Sequence, residues 1–298
     1  MIRAENLTKT FDGFRALDAL TLHVPQGAVY GLVGPNGAGK TTFIRTLAGV
    51  LRPDGGVVNV AGLPVFENEE AKKRFVYVSD ELFFYPTFSI RQTARFYASF
   101  YPNWDNAYYE RMKSVFKTDV SRRCRRLSKG MQKQAALWIA LCAKPDVLIL
   151  DEPVDGLDPV MRRNVWSLIM EEVCDRQMTV LVSSHNLREL EDVCDHVGIM
   201  HEGHLVMEKA LDDVKGSVHK LQLAFEGGMP AELTEKIDVL RRSTFGSVET
   251  LIVRGDEAAL REKVQAYRPL IFDIVPLTLE EIFIYELGGM GYAFENLI

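Results

Sequence analysis

The chain has 298 residues, 47% of them hydrophobic and 26% charged, with a formal net charge of −6. That acidic balance gives no support for a nucleic-acid binder held by overall electrostatics, and no nucleic-acid partner is expected. The longest apolar run, Ala135 to Ala143, falls well short of the ~20 residues a bilayer span needs, and the N-terminus has no apolar signal core, so a cytosolic chain is expected. Four cysteines, Cys124, Cys142, Cys174 and Cys194, form no C-x-x-C pair, which argues against a disulfide framework and against a zinc site.

In chain order, residues 2–7 and 20–24 alternate as strands do, and Phe11 is expected in the loop between them. An aromatic ring there can stack on a purine, while simple packing on the surface is the competing reading. Pro25-Gln26-Gly27 turns the chain into Val29 to Val33, a continuous apolar run that reads as a buried strand. Gly34-Pro35-Asn36-Gly37-Ala38-Gly39-Lys40-Thr41-Thr42 follows at once and leads into a helix over 43–48. Strand, glycine-rich loop and helix in that order make a phosphate cradle. Glycines let successive N–H groups point inward, the helix adds its positive end, Lys40 reaches the terminal phosphates, and Thr41 offers a hydroxyl to Mg²⁺. Binding of a nucleoside triphosphate by Asn36, Gly37, Gly39, Lys40, Thr41 and Thr42 is therefore expected.

Beyond the turn Arg52 to Gly56, strands are expected at 57–60 and 75–78. From about Pro86 to Pro145 the pattern becomes helical, with aromatics at helical spacing in 89–101 and 106–116, expected to serve as packing. The basic run Arg122-Arg123-Cys124-Arg125-Arg126 lies here, either a solvated face or a patch for an anionic partner. A central strand is expected at 147–150, a helix at 159–174, a strand at 179–182, a short helix at 186–194 and a hairpin around Glu202-Gly203. Asp151 and Glu152 close the 147–150 strand at its carboxyl end, where open α/β sheets bind ligands. Asp151 is expected to serve the Mg²⁺ shell and Glu152 to polarise the attacking water, with His185, at the end of the neighbouring strand, orienting that water or the terminal phosphate.

Leu127-Ser128-Lys129-Gly130-Met131-Gln132, a short way before Val147 to Glu152, resembles the signature of the ATP-binding cassette (ABC) ATPases, although Lys129 and Met131 stand where glycine and glutamine are usual. Gly156-Leu157-Asp158 is similar to the family's D-loop and Ser184-His185 to its switch histidine. The resemblance covers residues ~1 to ~213 and implies an α/β P-loop NTPase with an N-terminal antiparallel β subdomain and a helical insertion at about 86–145. It also implies ATP and Mg²⁺ as ligands. Ser128, Gly130 and Asp158 would then close on the phosphates held by a second nucleotide-binding subunit, in a homodimer or a heterodimer. Asp80 occupies the place of the family's glutamine that touches Mg²⁺.

Residues 214–298 read as a small accessory α/β domain, with strands at 221–225, 250–253 and 270–274 and helices at 257–267 and 279–287. The ending Leu277 to Phe283 is similar to that of bacterial export-type ATPase subunits. The resemblance therefore favours the ATP-hydrolysing subunit of a membrane transporter, peripheral on the cytoplasmic face and docked on a separate transmembrane permease through the helical insertion. A soluble ABC-type ATPase of translation or DNA repair, and a nucleotide-dependent regulator of low turnover, are the alternatives.

Overall fold

The computed structural model describes residues 1–185, 187–211, 218–275 and 277–281. They form two compact units, Met1–Asn186 with Val193–Glu208, and Leu187–Asp192 with Lys209–Ile298. The expected domain boundary at residue 213 lies outside the described residues.

The first unit opens with β1 (Ile2–Phe11) and β2 (Phe14–Val24), joined by Asp12 and Gly13, whose φ values of 47° and 85° suit a two-residue hairpin turn. Phe11 is thus not in a loop: it ends β1 and pairs with Phe14 across the turn. Both strands run further than their alternation suggests, because register shifts between Ala4 and Thr10, with Asn6 and Ala19 at positive φ, break the two-residue period. With β4 (Gly55–Val60) and β5 (Leu63–Pro64) they make an antiparallel sheet in the order β2-β1-β4-β5.

The second sheet holds β3 (Val29–Val33), β6 (Phe75–Val78), β7 (Val147–Asp151), β8 (Thr179–Ser184), β9 (His196–His201) and β10 (His204–Ala210), in the order β10-β9-β3-β8-β7-β6. From β9 to β6 the pairing is parallel. β3, β7 and β8 are buried along their whole length, as their unbroken apolar runs require. One apolar core joins the two sheets, including Ile2, Leu22, Tyr30, Leu32, Phe43 and Ile149. The carboxyl ends of β3, β7 and β8 carry the glycine-rich loop, Asp151-Glu152 and His185 respectively.

Helices α1 (Lys40–Leu47) and α2 (Glu69–Lys72) precede the helical insertion, which comprises α3 (Ile90–Ala98), α4 (Asn106–Phe116) and α5 (Lys129–Cys142). Ser89 and Gln92 start α3 with a reciprocal capping box, and Asp105 caps α4 through the Tyr108 amide. In the arginine run, Cys124 is buried against Thr93, 3.6 Å away, while the arginines on either side are exposed. Fully buried Trp138 stacks on Tyr109 and Phe116, with ring centroids 4.8 and 5.6 Å apart. Trp138→Ala is expected to cost about 3–5 kcal/mol in urea unfolding, the range for emptying a buried indole site. Not every aromatic of this region packs inside. Phe83, Tyr85 and Phe100 are 78%, 45% and 58% exposed and continue edge-to-face with Phe96 into a surface ladder.

Helix α6 (Pro159–Arg176) completes the first unit. The helix expected over 186–194 is short, α7 (Leu187–Leu190), and belongs to the second unit; Asn186 lies outside the described residues. That unit continues with β11 (Val218–Ala224), α8 (Ala231–Lys236), β12 (Asp238–Phe245), β13 (Val248–Arg254), α9 (Glu257–Gln265) and β14 (Ile271–Val275). The sheet is antiparallel throughout, in the order β12-β13-β11-β14, which is the split β-α-β arrangement. Leu221, Leu223, Leu251, Val253, Leu260 and Val264 form its own core. The helix expected over 279–287 is described only as far as Glu281.

Candidate functional site

The glycine-rich loop is wedged between backbone atoms on two sides. A Cβ on Gly39, at φ 103°, would stand 2.5 Å from the Ala16 carbonyl oxygen, and one on Gly34 would stand 2.3 Å from that of Met200. Neither position admits a side chain without moving the main chain. Gly39 is also the N-cap of α1 and brings no side-chain acceptor, so the first-turn N–H groups stay free to receive an anion. Lys40 is 7% exposed, and its Nζ donates to the carbonyl oxygens of Gly34 and Pro35. Burial lowers its pKa, while Glu152 and Asp151 act in the opposite direction.

Asp151 is buried at the end of β7, and Ser183 Oγ on β8 donates to its Oδ1 over 2.5 Å. Glu152 follows in the left-handed region, at φ 48°, a conformation that costs a non-glycine residue about 1–2 kcal/mol. Its N–H donates to the Ser183 carbonyl at 3.2 Å, and its own carbonyl accepts from Lys133 Nζ at 2.8 Å. The kink carries Glu152 Oε1 to within 3.0 Å of His185 Nδ1. Burial raises the Glu152 carboxyl above its ordinary pKa, opposed by the His185 hydrogen bond and by the charge of Lys40. A half-buried carboxylate with raised basicity suits proton abstraction from water.

A cavity of about 420 Å³ collects Phe11, Phe14, the loop from Pro35 to Thr42, Asp80, Asp151 and Glu152. Its lining combines two aromatic rings, the amides and ammonium of the loop, and three carboxylates. Thr41, Asp151 and Asp80 supply hard oxygens only. Mg²⁺ is usually held by one or two carboxylates together with substrate phosphates, so the donor set fits that ion as part of a nucleotide complex. Asp80 also has a protein partner, since Lys133 Nζ lies 3.1 Å from its Oδ1.

Ser128, Gly130 and Asp158 do not line this cavity. Ser128 caps α5 by accepting from the Met131 amide at 3.3 Å, and Asp158 caps α6 by accepting from Val160 and Met161. A Cβ on Gly130 would stand 3.2 Å from the Gly156 carbonyl oxygen, so the start of α5 and the turn before Asp158 lie side by side. The expected residues thus fall into two groups, one around the cavity and one beside it. Three residues of the site were not read from sequence: Phe14, Ser183 and Lys133. Lys133 carried a signal, because Leu137 and Ala140, one and two turns along the same face of α5, are buried.

A family model described as ABC transporter matches residues 17–155. Over 290 residues the chain is 29% identical to the ABC transporter ATP-binding protein YtrB of Bacillus subtilis (strain 168), covering 97% of this chain and 99% of that protein. It is 35% identical over 218 residues to the bacitracin transport ATP-binding protein BcrA of Bacillus licheniformis, covering 72% of this chain and 71% of that one. A solved structure of an ATP binding subunit of an ABC transporter matches with a TM-score of 0.67 at 26% identity, over 72% of this chain and 92% of its own. These likenesses favour transport over the translation, repair and regulatory alternatives. The glycine-rich loop at the end of β3, the paired acids at the end of β7 and the serine-capped start of α5 fit the same conclusion: the chain belongs to the ABC transporter family, as an ATP-binding, ATP-hydrolysing subunit.

Proposed function

We propose that the chain is the cytoplasmic motor of a membrane transporter, working as a pair of nucleotide-binding subunits on a separate transmembrane permease. The observation that supports this most is the division of the site. Loop, acids and aromatic rings share one cavity, whereas Ser128 and Gly130 stand outside it, at the start of α5, where the first-turn N–H groups other than the capped Met131 amide can meet a second anion. Two copies facing each other complete both sites at once.

Within one subunit, Phe11 stacks on the purine, with Phe14 beside it as its cross-strand partner. Asn36 to Thr42 cradle the phosphates, and Lys40 leaves its loop carbonyls to meet them. Thr41 and Asp151 would hold Mg²⁺, which when bound would neutralise phosphate charge, while Asp80 beside them is held by Lys133. Glu152 takes the proton of the attacking water, and His185, 3.0 Å from its carboxylate, orients that water. Ser128, Gly130 and Asp158 close on the phosphates of the partner subunit.

The permease docks on the exposed ladder of Phe83 and Tyr85, just before the helical insertion, and Phe100, just after α3, a patch out of place on a free surface. This assigns the chain to the cytoplasmic face of the membrane; among the described residues no helix is long and apolar enough to cross it. The test is recovery of the tagged chain in detergent. A protein with several hydrophobic spans is expected to co-purify, and replacing Phe83 and Phe100 by Asp is expected to lower its yield at least about fivefold with ATP binding unchanged, since charge in an apolar interface centre is strongly disfavoured. Recovery with ribosomes or DNA instead would overturn the reading.

A further inference from the structure

Lys133 is 8% exposed, and its ammonium gathers three separate segments of the chain. It rises from α5, five residues after Ser128, donates to the Glu152 carbonyl oxygen at 2.8 Å and meets Asp80 Oδ1 at 3.1 Å. The first contact pins the carbonyl of a left-handed residue whose N–H is already held by Ser183. The second ties that ammonium to the segment after β6. A buried charge is tolerated only with such partners, so each contact depends on the other.

We propose that Lys133 is a positioning residue for ATP hydrolysis. It fixes the backbone from which Glu152 reaches His185, and Asp80 acts on the site chiefly through Lys133. The start of α5, which faces the partner subunit in the function proposed above, is thereby linked to the carboxylate that activates water. A displacement of α5 on closure of the pair moves Lys133, and with it the Glu152 carbonyl. This inference rests on Glu152 as the base, but its test has an arm that does not.

The test uses the full chain with Lys133→Met, Lys133→Arg, Asp80→Asn and the Lys133→Met/Asp80→Asn double variant. Hydrogen exchange on nucleotide-free protein is expected to quicken at Glu152–Asp155 in Lys133→Met, without any turnover being measured. In steady state, kcat is expected to fall about tenfold or more with KM within about twofold, the signature of misplacement rather than lost binding. Lys133→Arg, which still donates to both partners, is expected to regain a clear part of that loss. Asp80→Asn and Lys133→Met are expected to be non-additive, with the double variant close to Lys133→Met alone. The Mg²⁺ concentration for half-maximal rate is expected to stay within about twofold in Asp80→Asn, because its main partner is Lys133 and not the metal.

Unchanged exchange at Glu152–Asp155 together with wild-type kcat in Lys133→Met would overturn the proposal. So would multiplicative losses in the double variant with a half-saturating Mg²⁺ raised about tenfold or more, which would make Asp80 a metal ligand in the first place. Should Lys133→Met fail to fold, Asp80→Asn, at a half-exposed side chain, carries the same exchange and Mg²⁺ arms. Should Glu152→Gln turn over normally, the base assignment fails, while the exchange arm still reports whether Lys133 holds the loop.

Discussion

Glu152→Gln is expected to bind ATP as the natural chain does and to lose turnover by about 10²–10⁴-fold, the range for removing a positioned general base. The amide matches the carboxylate in shape and keeps an oxygen toward His185, but it accepts no proton. The left-handed backbone at Glu152 and its two pins, Ser183 and Lys133, remain as they are. Only the chemistry is removed, so the state that precedes hydrolysis accumulates. With ATP and Mg²⁺ the variant is expected to elute as a stable pair in gel filtration, while in the natural chain hydrolysis to ADP and release of phosphate let the pair come apart. Phosphate release at the natural rate would refute Glu152 as the base. Loss of ATP binding would show instead that the charge at 152 serves the nucleotide directly.

The parts of this site that rest on local chain geometry were legible in the sequence. Val29 to Leu47 shows a strand, a loop with three glycines and a helix in consecutive order, and no contact from elsewhere is needed to make the cradle recognisable. Asp151-Glu152 was legible for the same reason, being two acids at the end of an unbroken apolar run. What depends on contacts between distant segments was not. Ser183 meets Asp151 across a parallel pair of strands and carries no mark in its own neighbourhood, whereas Lys133 meets Asp80 across 53 residues, so its place on the apolar face of α5 marks its burial but not its partner. Phe11 was misplaced because bulges interrupt the alternation of β1, although Asp12-Gly13 is itself a hairpin signal. In the second unit β12 escaped notice because it is an edge strand with most of its residues exposed, and Arg241-Arg242-Ser243-Thr244 shows no apolar face. Without β12 the remaining elements do not spell the split β-α-β order. Phe100, expected to pack with the other aromatics of 89–101, is instead exposed. Helical spacing tells which residues share a face, but not whether that face is covered.

Two inactive variants are expected to restore one another when mixed. Lys40→Ala removes the ammonium from the phosphate loop, and Ser128→Asp puts a carboxylate where the partner's phosphates would arrive, while keeping a residue able to cap α5. Each alone is expected to hydrolyse ATP at about a hundredth of the natural rate or less, since a charge lost or reversed at a bound phosphate is among the largest single effects on such sites. In a mixed pair one composite site joins the two damaged halves, and the other joins the intact loop of the Ser128→Asp chain with the intact signature of the Lys40→Ala chain. A one-to-one mixture that exchanges freely puts half of the pairs in this form. About a quarter of the natural number of sites is then sound, and turnover of about that fraction is expected if sites work independently. The measurement is phosphate release as a function of the mixing ratio, with a maximum near equal parts. A flat line at the level of the separate variants would mean that the loop and the signature do not meet between copies of this chain. A maximum ties the division seen in a single subunit to its cause: Ser128 and Gly130 lie outside the cavity because the phosphates they serve belong to the other copy.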